Sequence, residues 1–218
     1  MSARKRVAVL ISGRGSNMSA LLEACRQPDY PAEVVTVISN RPDAAGLEKA
    51  SGAGIETRVV DHTAFPSREA FEAELSAALK AADAELVCNA GFMRLLTAGF
   101  VEEWRDRQLN IHPSLLPAFK GLHTHERALE KGVRIAGCTV HFVRTEMDSG
   151  PIIAQAAVPV LPGDTPDTLA ARVLKAEHRL YPLALKLVAS GAARVENERV
   201  VLSCPCDELP PLIVPDSA

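Results

Sequence analysis

The chain has 218 residues, 47% of them hydrophobic, which is room for one sizeable core or two lobes on one sheet and a squeeze for two independent domains. Its 24 basic and 27 acidic residues leave a net charge of -3 with no long basic surface, which excludes a nucleic-acid partner and favours small ones. The longest apolar runs fall far short of a membrane span and "MSARKRVAVLISG" lacks a signal-peptide cleavage pattern, so a cytoplasmic chain with no membrane partner is expected.

In chain order, apolar β-rich runs alternate with helical periodicity. "RVAVLI" (6–11), "EVVTVIS" (33–39), "ETRVV" (56–60) and "ELVCNA" (85–90) read as strands buried on both faces. Helices are expected near 17–26, 43–53 and 67–81. In the last of these, Ser67 is placed to cap, and Phe71, Leu75 and Leu79 recur at i, i+4, i+8 as one core-facing stripe. This alternation marks right-handed βαβ units, hence an α/β fold with a Rossmann-like, mostly parallel sheet flanked by helices.

After Gly91 the pattern changes. "RQLNIHP", "RIAGCTVHFV" and "PIIAQAAVPV" read as further strands, and "GLHTHERALEKG" as a turn and short helix. A long helix follows from about Pro166 to Ala189, with Thr165 as cap and Pro166 at the first helical position. "RVENERVVL" reads as a hairpin turning at Glu196-Asn197-Glu198, and the Pro-rich tail "CPCDELPPLIVPDSA" as irregular. The five cysteines (Cys25, Cys88, Cys138, Cys204, Cys206) are odd in number and mostly in apolar contexts, as fits reduced thiols. Cys204 and Cys206 form the one close pair, open to a metal or redox role or to none.

"VLISGRGSNMSALLEA" is a strand, a Gly-rich turn and a helix start. It puts Gly13, Gly15, Ser16 and Asn17 where backbone N–H groups and the helix dipole can hold an anion, with a phosphate as the natural guest. As a dinucleotide fingerprint it is partial: Met18 stands where a third Gly or Ala belongs. The second strand ends Ser39-Asn40-Arg41, without the acidic residue that would hold a ribose. A phosphate-bearing substrate is therefore weighed above a dinucleotide, with a purely structural turn as the remaining option.

In "LNIHPSLLPAFKGLHTH" (109–125), the period of two on a strand turns Asn110 and His112 to one face and Ile111 to the core. Pro113 then ends the ladder. A carboxamide and an imidazole stand side by side at a strand's end, where ligands bind in open α/β sheets. From spacing alone, Asp148 in "RTEMDSGPII" is either an Asx-type turn former or a functional carboxylate. Arg68, a cation in the first turn of a helix, is either plain surface charge or a partner for an anion. Glu177 falls at the edge of the apolar arc Leu169, Val173, Leu180, Ala184 and Leu187, so it needs a partner: an internal Arg, or a substrate amide or ammonium.

Together "LISGRGSN", "AGFMRLL", "NIHPSLLPAFKGLHTH", "GCTVHFV", "MDSGPIIAQ" and "AEHRLYP" resemble the phosphoribosylglycinamide formyltransferases, folate-dependent enzymes of purine synthesis, in order and spacing from about residue 6 to 190. The resemblance implies the formyltransferase fold, with a mixed C-terminal part of the sheet, and transfer of formyl from 10-formyltetrahydrofolate, as co-substrate, to the amine of phosphoribosylglycinamide. It makes Asn110, His112 and Asp148 the catalytic trio, Gly15, Ser16 and Asn17 the phosphate loop, and Glu177 the holder of the glycinamide end. Arg68, Met93, Arg94, Leu95 and Leu96 fall on folate-binding positions, as does the loop Arg144, Thr145, Glu146, Met147 that leads to Asp148. One formyltransferase domain over 1–218 is then expected: a phosphate-binding half of about 1–104, a catalytic and folate-binding half of about 105–190, and a hairpin and tail without assigned function. The related methionyl-tRNA formyltransferases and formyltetrahydrofolate hydrolases carry an extra RNA-binding or regulatory domain, for which a chain of this length has no room.

Formyl transfer passes through a tetrahedral oxyanion and requires the amine to lose a proton. Asn110 can donate to the oxyanion, a protonated His112 can donate a second bond and later protonate the leaving nitrogen, and Asp148 nearby would favour the imidazolium and relay protons through water. None of this requires a metal. Three rivals remain: a metal-dependent hydrolase using His123, His125, His141 and Asp148, a nicotinamide-dependent oxidoreductase, and a non-catalytic nucleotide sensor. The sequence leaves the oligomeric state open, up to a weak homodimer.

Overall fold

Alternation along the first strand, β1 (Lys5–Ile11), splits the interior into two cores: Val7, Val9 and Ile11 point to one, Ala8 and Leu10 to the other. The computed structural model describes residues 3–203 and 212–214; the Cys204–Cys206 pair and most of the expected irregular tail lie outside that range. From β1 the chain continues through α1 (Ser16–Cys25), β2 (Ala32–Ser39), α2 (Gly46–Gly52), β3 (Glu56–Val59), α3 (Arg68–Ala81) and β4 (Leu86–Asn89). Then come α4 (Ala98–Glu103), β5 (Gln108–His112), α5 (Thr124–Glu130), β6 (Ile135–Phe142), β7 (Ile152–Pro159), α6 (Pro166–Ala189), β8 (Ala193–Glu196) and β9 (Arg199–Leu202).

Seven strands form one sheet in the order β3-β2-β1-β4-β5-β6-β7. The first five run parallel, while β6 and β7 are antiparallel, the mixed end expected from the resemblance. Helices α1 and α6 cover the core beneath Val7, Val9 and Leu109, whereas α3 and α4 cover the other through Phe71, Leu75, Leu79, Phe100 and Trp104. Both long helices start where their side chains satisfy free backbone donors. Ser67 Oγ accepts from Ala70 N, and Thr165 with Thr168 forms a reciprocal capping box ahead of Pro166. Cys25, Cys88 and Cys138 are free and buried, and burial pushes the Cys138 thiol up to about 12.

Three local expectations change. The run 56–60 is not buried on both faces, because β3 is the edge of the sheet and exposes Glu56, Arg58 and Val59. The second helix starts at Gly46 rather than near 43, since Asp43 is spent on an ion pair with Arg41 in the preceding turn. Helix α4 was not foreseen: its six residues are too few for a periodic signal, and it is held by tertiary contacts. Thr97 caps it, while the buried Glu72 of α3 accepts from both Thr97 N and Thr97 Oγ1.

Candidate active site

The turn after β1 builds a site without side-chain help. Gly15 adopts φ +65°, closed to most L-residues, and starts α1 with no side-chain cap and no acidic residue in the first turn. The opening N–H groups of α1, at Ser16 and Asn17, are therefore free to face an anion. The loop is pinned from behind by Gly46, whose N–H donates to Gly13 O at 3.0 Å and whose missing side chain leaves space for Ile11 and Gly15. Nothing in the sequence pattern flagged Gly46, because its role exists only through that packing.

Glu177, on the buried face of α6, lies beside this loop and accepts from Asn17 Nδ2 at 2.7 Å. Burial raises its pKa, and the Asn17 bond only partly offsets that. The internal Arg considered from sequence is not its partner. Asn17 Oδ1 is buried and unpaired among the described residues, so this corner presents a carboxylate and an amide with bonding capacity to spare.

Asn110 and His112 leave β5 on one face, opposite Leu109 and Ile111, and the strand ends at His112 before Pro113. Asp148 arrives from the β6–β7 loop, with its Oδ2 3.4 Å from His112 Nδ1, and both side chains are over nine-tenths buried. His112 Nε2 lies 3.0 Å from Phe119 O. Both ring nitrogens thus face acceptors, and only the imidazolium can donate to both. Asp148 also accepts from Gly121 N at 2.8 Å and adopts φ +52°, so it occupies a turn position while its carboxylate lies beside His112.

The antiparallel register brings in a fourth side chain. His141 on β6 lies directly across from Asn110, and its Nε2 is 3.2 Å from Asn110 Nδ2. Its Nδ1 is 2.9 Å from Phe142 O, which assigns the proton to Nδ1 and leaves Nε2 to accept from Asn110. Burial lowers the His141 pKa, which keeps the ring neutral. Asn110 keeps one amide hydrogen for a ligand. The sequence showed His141 only as a conceivable metal ligand, since cross-strand register cannot be read from one strand. Among the described residues no group of three or more His, Cys, Asp or Glu is placed to hold a metal ion.

The remaining candidates surround this cluster unevenly. Met93 and Leu95 are exposed on the loop after β4, with Met93 N bonded to Ser12 Oγ at 2.8 Å, which ties that loop to the glycine turn. Leu96 packs on the α3 core, and Arg94 Nε is buried without a partner among the described residues. Thr145, Glu146 and Met147 are exposed, with Glu146 paired to Lys120. Arg68 is exposed at the start of α3. The Arg144 side chain is instead engaged by Asp106 and Glu198. Arg41, the residue that kept a nicotinamide dinucleotide in play, pairs with Asp43.

Residues 5–185 match the family described as formyl transferase. The chain belongs to the formyl transferase family. It is 47% identical over 191 residues to the phosphoribosylglycinamide formyltransferase of Escherichia coli K12, covering 88% of this chain and 90% of that protein. It is also 52% identical over 198 residues to the bovine trifunctional purine biosynthetic protein adenosine-3; this spans 90% of the chain but 20% of that longer relative. Among solved structures, glycinamide ribonucleotide transformylase 1 from Symbiobacterium toebii superposes with a TM-score of 0.90 at 50% identity, covering 93% of this chain and 95% of that one. Within the formyl transferase family the seven-stranded sheet, parallel for five strands and mixed at its end, is the shared frame.

Proposed function

We propose that this chain transfers the formyl group of 10-formyltetrahydrofolate to the amine of 5-phosphoribosylglycinamide, giving the formylated ribonucleotide and tetrahydrofolate. The observation that carries this reading is the convergence of Asn110 and His112, from the end of β5, with Asp148, from the distant β6–β7 loop, in one cluster. The acceptor phosphate sits on the turn Gly15, Ser16 and Asn17, and Glu177 holds the glycinamide end. Strands β1 and β5 flank β4, so the two ends of this site are about 10 Å apart at the usual strand spacing. A phosphoribosyl group with its glycinamide arm bridges that gap.

The acceptor amine attacks the formyl carbon, and the carbonyl oxygen takes up the electron pair. Asn110 Nδ2 donates to that oxyanion, and so does the His112 imidazolium once its Nε2–H exchanges Phe119 O for the ligand. The amine proton leaves by way of Asp148, and the folate nitrogen is protonated as the tetrahedral species collapses. The donor lies against both halves of the chain: Met93, Arg94, Leu95 and Leu96 on one side, the Arg144, Thr145, Glu146, Met147 loop on the other, with Arg68 toward the acidic tail. Arg144 serves there through its backbone. No step calls for a metal, and a cytoplasmic enzyme acting on small molecules fits this chemistry.

Release of tetrahydrofolate product, followed with and without phosphoribosylglycinamide, tests the proposal. Turnover that depends on the acceptor supports it; turnover that proceeds without the acceptor makes the chain a hydrolase. Two variants test the binding assignments. Gly15→Ala forces a Cβ to about 3.0 Å from Gly46 Cα at a positive φ. The loop must relax, and the acceptor KM is expected to rise roughly tenfold, the equivalent of the ~1–2 kcal/mol of left-handed strain, with the donor KM nearly unchanged. Equal losses for both ligands would reduce the turn to a structural role. Arg68→Ala should raise the donor KM roughly fivefold, as for an exposed ion pair of about 1 kcal/mol, with kcat little changed. An unchanged donor KM returns Arg68 to ordinary surface charge.

A further inference from the structure

The tip of the C-terminal β8–β9 hairpin has an unusual composition. Asn197 and Glu198 have φ of +49° and +59°, the backbone of a tight hairpin turn whose second central position favours Gly. Glu198 is held in that conformation without the freedom of a glycine. Its carboxylate accepts from Arg144 Nε at 2.7 Å and from the Arg105 guanidinium. Asp106, also at a positive φ of +56°, accepts from Arg144 Nη2 at 2.6 Å, and Val143 O takes Nη1 at 3.0 Å. Every nitrogen of the Arg144 guanidinium is bonded, and its side chain is only 10% exposed.

Arg144 occupies the root of the loop that carries Asp148. That root is narrow: Val143 N bonds Gln108 O, Phe142 N bonds Pro151 O, and a Cβ on Gly150 would fall 1.8 Å from Phe142 O. The Arg144 stem closes over Gly150, with its Cγ 3.2 Å from that same position. From there the loop doubles back along β5, until Asp148 meets His112 and Gly121 N.

We propose that the β8–β9 hairpin is a positioning element of the donor site, in which Glu198 and Asp106 grip Arg144 and thereby hold the Asp148 loop in its binding-competent form. The kinetic side of this inference rests on the formyl-donor reading above; the structural side does not. An exposed ion pair alone is weak. Here a mostly buried guanidinium would lose charge-assisted bonds that nothing else replaces. If only a fraction of the chains then holds the loop correctly, the apparent donor affinity falls by that fraction.

The experiment uses Glu198→Gly and Glu198→Gln in the full chain. Glu198→Gly places the favoured residue in the turn, so its melting temperature should match or exceed that of the wild type. Both variants should raise the donor KM roughly three- to tenfold, with the larger share of the change in KM rather than kcat, as a reduced competent fraction requires. Amide exchange of segment 143–150, measured without substrates, should accelerate in both. Neither effect should grow further in an Arg144→Gln background. Wild-type exchange in 143–150 overturns the proposal, as does an equal KM increase on top of Arg144→Gln. A chain inactive with this donor still gives the exchange result, which separates failure of the brace from failure of the assigned reaction.

Discussion

Replacing Asp148 by Asn is expected to lower kcat by roughly 10²-fold or more, within the range of general acid–base contributions, while the melting temperature stays close to that of the wild type. The substitution suits this site because the backbone there has φ +52°, a conformation Asn tolerates as well as Asp. The amide oxygen can still accept from Gly121 N, so the turn survives. What disappears is the carboxylate 3.4 Å from His112 Nδ1, the group assigned to take the amine proton in the proposed reaction. Steady-state kinetics with a thermal melt decide between the readings, and a variant with near-normal kcat would leave Asp148 only its turn.

Glu177→Gln is expected to separate acceptor binding from stability. The acceptor KM should rise at least roughly tenfold, the scale of one lost charge-assisted hydrogen bond, with the donor KM unchanged. The ligand-free fold should be no less stable, because Gln keeps the acceptor for Asn17 Nδ2 and removes a buried charge. The sign follows from linkage. Burial raises the Glu177 pKa, so its contribution to stability is complete below the ordinary carboxylate value and is lost as pH rises through the elevated one. Above that elevated value the wild type has lost it, and the Gln variant has nothing to lose. Melting curves from pH 4 to pH 8 should therefore fall more for the wild type than for the variant. A variant destabilised at pH 7, or one with an unaltered acceptor KM, would return Glu177 to a structural role.

Local patterns made much of this visible in the chain itself. The stripe of Phe71, Leu75 and Leu79 specified α3, and Thr165-Pro166 specified the start of α6, because each signal resides within one element. Asn110 and His112 were legible as a pair for the same reason, sharing a face by alternation. His141, Gly46 and Glu72 were not: each acts across a register or a packing contact that a linear pattern does not encode. Arg144 illustrates the converse. The family resemblance assigned it to a donor-binding loop, but the direction of its side chain is set by carboxylates at residues 106 and 198, one 38 positions before it and the other 54 after.

The bond from Asn17 to Glu177 joins residues 160 positions apart. A contact of that sequence separation can close only after nearly the whole chain has been made and ordered. During synthesis the glycine turn emerges early, among the first strands, but its carboxylate partner arrives with the last helix. In the proposed reaction acceptor recognition is therefore a late-acquired property: a nascent chain that already holds its parallel strands still lacks the Glu177 side of the corner assigned to the ribonucleotide.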